Sequence, residues 1–263
     1  MRITSLASGS AGNAYCVEHG GAALMVDCGL SCRELSKRCK AADIDVSKIA
    51  AVVFTHNHAD HVKGLATFHA RRPDVELYAN MMTADAIACV TGVEDFCIFE
   101  NGQRFEAAGF SVKAFSIPHD VPDPVGFLVG AGGCTYFHAT DVGAPLDSIG
   151  VNFAEADYAT LEFNHDPLML ASSARPESLK SRIRGARGHL SNGDAAELAA
   201  KFASGRLKVL ALAHLSEECN APHLALAAAK EALAASGKSG VGIVALEQSA
   251  FVRIADGSQE GGA

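Results

Sequence analysis

The sequence lacks the segments that would place it in a membrane. No apolar run approaches the roughly 18 residues of a membrane span, and the opening residues MRITSLASGSAGN contain no stretch apolar enough for a signal peptide. Paired cysteines are also absent. The eight cysteines are scattered without a CxxC motif, which disfavours a disulfide framework or a thiolate zinc site. We therefore expect a cytoplasmic protein in a reducing compartment, with no membrane partner.

Positive charge is in deficit. The chain has 22 Lys and Arg against 30 Asp and Glu, for a net charge of −8. Sequence-independent binding of nucleic acid depends on neutralising many phosphates, so this balance argues against a broad nucleic-acid footprint. A phosphate-bearing substrate must then be held locally, and basic residues cluster over 33–40 and 180–187. A solvated helix face is the commoner explanation of such charge runs.

Strand-like and helix-like segments alternate along the chain; the predictions include a strand over 209–213 and helices over 62–71 and 222–235. The composition, 49% hydrophobic and 20% charged, is typical of a globular protein. Interleaved strands and helices predict a layered α/β fold. Low complexity is confined to the ending ADGSQEGGA. The expected organisation is a single domain over residues 1–254, followed by a disordered tail over 255–263.

Four potential metal ligands follow one buried strand. The apolar run IAAVVF predicts a strand buried on both faces, and it leads directly into THNHADH. Because alternate side chains of an extended segment point the same way, His56 and His58 can bind one ion. Asp60 and His61 come where the chain turns into a helix, and they suit a second, adjacent ion. Zinc, manganese and iron all accept imidazole with carboxylate.

Three further ligand candidates stand where apolar strands end. His119 follows VKAFSIP, Asp141 follows TYFHAT, and His214 follows VLALA. The end of a strand holds a functional side chain rigidly and still exposes it. An aspartate can bridge two ions through its two oxygens, and we predict that role for Asp141.

The ordered motifs also carry a family resemblance. MVDCG, THNHADH, PHD, TDVG and AHLS follow one another as in the metallo-β-lactamase superfamily, which the sequence resembles over nearly its whole length. The resemblance implies a four-layer αββα sandwich, of the α/β (α+β layered) class, with two divalent ions at one edge. It implies that the first ion is bound by His56, His58 and His119. It also implies that the second ion is bound by Asp60, His61 and His214, and that Asp141 bridges the two ions. It makes Asp27 a supporting carboxylate and not a ligand.

Later motifs favour phosphodiester substrates. LEFNHDPLML and GARGHLSNGD resemble the ribonuclease Z branch of the superfamily, in which a histidine that opens a helix lies beside the scissile phosphate. His189 matches it. The pattern of SGSAGN, PHDVPDPVGF, GHLSN and HLSEECNAPHLAL is similar to the YycJ group, regarded as DNA exonucleases that act from the 5′ end. The resemblance implies a phosphodiesterase with a metal-bridging hydroxide, in which Asp60 and His189 are catalytic.

Substrate contacts are less well defined by the sequence. The same motifs offer five candidates: Asn164, His165, Arg187, Ser191 and Asn192. The FNHD segment is explained equally well as a hydrogen-bonded turn. Ser191 or Asn192 could instead be the N-cap of a helix, whose free N–H groups also suit a phosphate.

Metal identity and reaction class stay open at this point. Manganese and zinc both fit a site without thiolates, and iron ranks below them. A hydrolase of thioesters or lactones would use the same metals without a phosphate clamp. A non-hydrolytic metal sensor or binding protein would keep the metals for another purpose. DNA with a free 5′ end is the expected partner, and the sequence does not indicate an oligomeric state.

Overall fold

The computed structural model describes residues 1–257. Within them lie the following strands: β1 (Arg2–Ala7), β2 (Ala14–His19), β3 (Ala22–Val26), β4 (Ile49–Val53), β5 (Glu76–Asn80), β6 (Cys97–Phe99), β7 (Arg104–Ala107), β8 (Phe110–Ser116), β9 (Val125–Ala131), β10 (Cys134–Ala139), β11 (Tyr158–Glu162), β12 (Val209–Ala213), β13 (Gly242–Ala245) and β14 (Val252–Asp256). The first sheet has the order β14-β1-β2-β3-β4-β5-β6, and the second has the order β13-β12-β11-β10-β9-β8-β7.

Helices cover the outer faces of the two sheets. In the described residues they are α1 (Cys32–Ala41), α2 (Ala59–Val62), α3 (Leu65–Arg71), α4 (Met81–Thr91), α5 (Asp147–Phe153), α6 (Pro167–Ser172), α7 (Glu177–Arg184), α8 (Asn192–Phe202) and α9 (Pro222–Ala235), with a 3₁₀ turn at Val46–Lys48. None of them has both the length and the apolar character of a membrane span.

The hydrophobic residues form three layers of packing. Leu35 of α1 and Phe68 of α3 pack with the outer face of the first sheet. A second cluster fills the space between the sheets and includes Tyr15 and Phe127. A third joins the outer face of the second sheet to helices such as α5 and α9, where Leu233 is buried. The predicted four-layer αββα sandwich is therefore confirmed.

The strand predicted from IAAVVF is buried on both faces. Val52 packs toward the helices and Val53 toward the second sheet, because successive side chains of a strand point to opposite faces. β4 pairs in parallel with β3 and with β5. This central place in the sheet fixes the position at which the chain enters the histidine motif.

The C-terminal strand corrects part of the predicted tail. Ala255 and Asp256 belong to β14, which pairs antiparallel with β1 at Ile3↔Ala255 and Arg2↔Asp256. β14 covers the edge that β1 would otherwise leave with unpaired N–H and C=O groups. The regular structure thus continues beyond residue 254, and residues 258–263 of the predicted tail lie outside the described residues.

Candidate metal centre

The predicted ligands meet at one edge of the sandwich. β4 leads directly into His56, whereas β8, β10 and β12 lead into His119, Asp141 and His214. β8 and β10 are both antiparallel to β9, and β10, β11 and β12 are mutually parallel. Their carboxyl ends therefore point the same way. The order and direction of the strands thus bring side chains from motifs that are far apart in the chain into one cluster.

Three imidazoles face a common point. His56, His58 and His119 offer ring nitrogens that all lie within 4.8 Å of one another. His56 Nε2 and His58 Nδ1 are 3.1 Å apart, and His119 Nδ1 donates to the Gly188 carbonyl at 3.1 Å. Burial lowers the pKa of His56 and of His58 below the usual value. Both rings are thus neutral at pH 7, the form that binds a metal.

Asp60, His61 and His214 form the second group. Their ligand atoms also lie within 4.8 Å of one another. His61 Nδ1 donates to Asp27 Oδ2 at 2.7 Å, which leaves Nε2 to face the group. Asp27 is fully buried and also accepts from the Thr55 backbone N–H at 2.9 Å. Asp27 therefore orients the His61 ring from behind, in the arrangement that carboxylates adopt behind metal-bound histidines.

Asp141 lies between the two groups. Its Oδ2 is 3.2 Å from His61 Nε2, and its Oδ1 is 3.7 Å from His119 Nε2. Within residues 1–257, the buried Asp141 Oδ2 and the buried His214 Nε2 have no hydrogen-bond partner. Buried polar atoms without partners are costly, and a cation placed among them satisfies both. This donor set, imidazole with carboxylate, fits divalent cations.

Three residues of the centre have a left-handed backbone. The φ angles are 60° at Asp27, 59° at Asp141 and 54° at His214. Such a conformation costs of order 1–3 kcal/mol for a residue with a Cβ, and it persists where neighbours enforce it. The His214 N–H, for example, donates to Ser8 Oγ at 2.8 Å. Strain at three strand ends around one cluster is typical of a functional site.

Glu162 is a site residue that the sequence analysis missed. It ends β11, is fully buried, and accepts hydrogen bonds from both ring Nδ1 atoms of His189 and His214, at 2.9 and 3.0 Å. It also accepts from the backbone N–H of Asp141, Val142 and Leu190. Burial would raise the pKa of Glu162, but the charge of His189 and the hydrogen bonds with the His189 and His214 side chains lower it to about 2. A lone carboxylate in the apolar run YATLEF was the available signal.

Asn13, near the start of the chain, contacts Asp60 and His61 of the second ligand group. This fully buried amide places Nδ2 3.1 Å from Asp60 Oδ2 and 3.0 Å from His61 Nε2. Its Oδ1 accepts from the Gly9 N–H at 2.9 Å, which fixes the turn that carries it. The glycine and serine loop SGSAGN therefore contributes a side chain to the centre.

His189 lies at the margin of the centre. Its Nδ1 is 2.9 Å from Glu162 Oε1 and 3.7 Å from Asp141 Oδ1. Burial would lower the pKa of His189, but the Glu162 carboxylate raises it above the usual value. The side chain lines the cleft in front of the ligands and keeps 21% of its surface exposed. His189 can therefore present a proton to a molecule bound there.

The predicted substrate-binding residues are dispersed. Asn164 lines the cleft and donates to the His214 carbonyl at 2.9 Å. His165 is buried, with a backbone bridge to Ser191. Ser191 is the N-cap of α8, and Asn192 exchanges side-chain hydrogen bonds with Asn220.

Arg187 makes a structural contact with the backbone. Its Nε donates to the His119 carbonyl at 3.0 Å, so it holds the ligand loop. The structure thus gives Arg187, Ser191 and Asn192 structural contacts, and Asn164 is the member of the predicted substrate set that faces the cleft.

Known proteins resemble this chain in sequence. Residues 23–211 match the family model of the beta-lactamase superfamily domain. The chain belongs to the metallo-β-lactamase superfamily. It is 32% identical to exodeoxyribonuclease YycJ of Bacillus anthracis, over 90% of each chain. It is also 32% identical to exodeoxyribonuclease WalJ of Streptococcus pneumoniae, over 86% of this chain and 85% of that protein.

Solved structures show the same superfamily fold. The metallo-beta-lactamase fold protein YhfI of Bacillus subtilis aligns with a TM-score of 0.71 and 18% identity, over 96% of this chain and 100% of that one. The short form of human tRNase Z aligns with a TM-score of 0.65 and 19% identity, over 97% and 99% of the two chains.

Proposed function

We propose that this protein is a metal-dependent exodeoxyribonuclease that hydrolyses DNA phosphodiester bonds from a 5′ end. The observation that carries the proposal is the convergence of imidazoles and carboxylates on one edge, with His189 and Glu162 beside Asp141. Hydrolysis of DNA is also supported by a relative named as an exodeoxyribonuclease, to which the chain is 32% identical over 90% of each sequence. The relatives favour neither the thioester or lactone hydrolase nor the metal sensor.

The proposed centre holds two divalent ions, manganese or zinc. The first would be held by the three imidazoles of His56, His58 and His119, and the second by Asp60, His61 and His214, with Asp141 between them. When bound, such ions supply Lewis acidity and hydroxide at neutral pH. Because no thiolate belongs to the donor set, hard ions such as manganese are accepted as well as zinc.

The chain's own groups position and protonate the substrate. Glu162 accepts from His189 Nδ1, so the other ring nitrogen, Nε2, is available to donate to a phosphoryl oxygen or to the leaving 3′ oxygen. The same carboxylate orients His214, and Asp27 orients His61. Asn164 lines the cleft beside the substrate position, and its amide donates to the His214 carbonyl. No covalent bond between enzyme and substrate is needed.

A nuclease assay with a matched variant tests the proposal. Manganese-loaded and zinc-loaded protein are each assayed on duplex and single-stranded DNA with 5′-phosphate or 5′-hydroxyl ends. We expect digestion from the 5′ end and a loss of about 10²–10⁴-fold in kcat for His189→Ala, the usual contribution of a proton donor. His223→Ala, exposed on α9, is the control.

Two results would contradict the proposal. DNA digestion by His189→Ala at the wild-type rate would remove its catalytic role. Hydrolysis of thioesters or lactones with no action on any DNA would favour the acyl hydrolase instead.

We also propose a reducing cellular location. All eight cysteines are free thiols, and Cys28 and Cys39 are buried among apolar side chains. Burial raises the pKa of each of these two thiols, so both remain protonated and unreactive. Such cysteines act as small core residues.

A further inference from the structure

Two arginines line the cleft in front of the metal centre. The cleft encloses about 200 Å³, and its wall includes Arg175 and Arg182 together with the ligands His58 and His119. Arg182 lies on α7, and Arg175 precedes the same helix. Neither belongs to the ligand set or to the residues that position it. Their place in the wall calls for a separate explanation.

Each arginine is aimed by a carboxylate through one nitrogen. Arg182 Nε donates to Asp120 Oδ2 at 2.6 Å, and Arg175 Nε donates to Glu218 Oε2 at 2.9 Å. Among residues 1–257, neither guanidinium donates to a protein acceptor through its terminal amino groups. A guanidinium has five N–H donors in a fixed fork that matches the oxygens of a phosphate. Both forks are therefore oriented, and both keep donors for a ligand.

Asp120 connects Arg182 with the metal centre. The carboxylate oxygen that does not bind Arg182, Oδ1, lies 3.5 Å from His119 Nε2 and 3.9 Å from His58 Nε2. One carboxylate group thus separates the Arg182 guanidinium from the ring nitrogens of two ligands. A phosphate held by this guanidinium is a close neighbour of a phosphate held at the centre.

Two other basic side chains of the 180–187 run have partners away from the cleft. Lys180 Nζ donates to the Ala171 carbonyl at 2.7 Å. Arg184 pairs with Glu177 at the other end of α7. Neither contributes to the wall of the cleft. Because residues two apart on a helix point in different directions, Arg182 faces the cleft whereas Lys180 and Arg184 do not.

The charge of the cleft makes cationic side chains necessary. Asp60, Asp120 and Asp141 all line it, and the whole chain has a net charge of −8. A polyanion that approaches these carboxylates is repelled, so a second phosphate beside the centre needs hydrogen-bond donors that face it. Arg175 and Arg182 are each paired with a carboxylate, yet their terminal amino groups keep N–H donors at this wall.

We propose that Arg175 and Arg182 form a clamp for the phosphate adjacent to the scissile one, so that the cleft binds two consecutive phosphates of a strand. This inference rests on the proposed nuclease function. The clamped group is either the 5′-terminal phosphate monoester or the next phosphodiester along the strand, and both present the same oxygens to a guanidinium.

Binding of a small bisphosphate tests the clamp without relying on activity. Titration calorimetry compares thymidine 3′,5′-bisphosphate with thymidine 5′-monophosphate and thymidine 3′-monophosphate on the manganese-loaded protein. Wild type is expected to bind the bisphosphate at least about tenfold more tightly than either monophosphate, because a hydrogen-bonded ion pair with phosphate contributes that much or more. Arg182→Ala and Arg175→Ala are each expected to remove most of this advantage.

Matched variants separate the clamp from general charge. Arg184→Ala removes the same charge from the same helix, outside the cleft, and should keep the wild-type preference for the bisphosphate. Arg182→Lys keeps the charge without the fork and should recover only part of the preference. Equal affinity of wild type for bisphosphate and monophosphates overturns the clamp. So does an unchanged preference in Arg182→Ala and Arg175→Ala, or an equal loss in Arg184→Ala.

DNA substrates then identify the clamped phosphate. A rate loss in Arg182→Ala that is confined to 5′-phosphorylated duplexes assigns the clamp to the terminal monoester. An equal loss on 5′-hydroxyl duplexes assigns it to the next phosphodiester. If wild type prefers the bisphosphate, the two arginine variants lose that preference and no DNA is digested, the nuclease proposal fails while the two-phosphate site stands. If DNA is digested and the arginine variants match wild type in rate and binding, the clamp alone fails.

Discussion

Replacing Glu162 with glutamine should weaken both the fold and the metal centre. The carboxylate accepts through Oε1 from His189, His214 and the Asp141 N–H, and through Oε2 from the N–H groups of Val142 and Leu190. A glutamine amide has one acceptor oxygen. In either orientation, its NH₂ group faces at least two donors and leaves them without an acceptor.

The magnitude follows from this hydrogen-bond count. Each hydrogen bond to a charged group contributes about 1.5–3 kcal/mol, so Glu162→Gln is expected to lower the free energy of unfolding of the metal-free protein by about 3–6 kcal/mol. The depressed pKa of Glu162, about 2 against 4.5, gives a similar value of about 3 kcal/mol. Manganese affinity should fall about 10–100-fold, because His214 loses the acceptor that orients it.

Urea denaturation and manganese titration measure the two effects. Glu231→Gln is the control, since Glu231 is exposed on α9. The stability difference also depends on pH. Because the folded pKa is depressed, the carboxylate stabilises the fold above pH 4.5, and its contribution is lost as the pH falls toward 2. Equal urea midpoints for Glu162→Gln and wild type at pH 7, with equal manganese affinity, would refute the reasoning.

Three further substitutions test the packing and the ligand roles. An alanine Cβ at Gly29 would lie 1.7 Å from the Asp60 carbonyl oxygen, so Gly29→Ala should lower the free energy of unfolding by about 1–3 kcal/mol. Gly205→Ala, with nothing within 4 Å of its Cβ, should not, and equal urea midpoints would contradict the contact. Asp141→Asn should bind fewer manganese ions per chain by metal analysis, and wild-type stoichiometry would argue against bridging. Asn13→Ala should lower kcat on DNA about tenfold, since Asp60 loses a donor; an unchanged kcat would assign Asn13 a purely structural role.

Local sequence patterns predicted much of the secondary structure. The predicted strand over 209–213 and helix over 222–235 coincide with β12 and α9. The helix predicted over 62–71 is instead two helices, α2 and α3, separated near Gly64. A Cβ at Gly64 would lie 1.9 Å from the Leu30 carbonyl. This close approach involves a distant segment, so local periodicity could not indicate it.

The ligand set could be proposed from the sequence because its chemistry is local. Spacing places His56 and His58 on one extended segment, and imidazole or carboxylate groups at strand ends stand out against the apolar runs before them. The superfamily resemblance then ordered these groups into two ion sites. The tertiary structure brings them within ligand distance of one another.

Other features depend on contacts between remote segments. The role of Glu162 as a common acceptor requires β11 to lie between β10 and β12, and β14 exists as a strand because the far end of the chain pairs with β1. Equally, nothing in the run SLKSRIRGARG distinguishes Arg182, which faces the cleft, from Arg184, which does not. The sequence by itself determined which groups are available and where strands end. The order of strands and the direction of each side chain were decided by packing, because a contact energy depends on neighbours that are far apart along the chain.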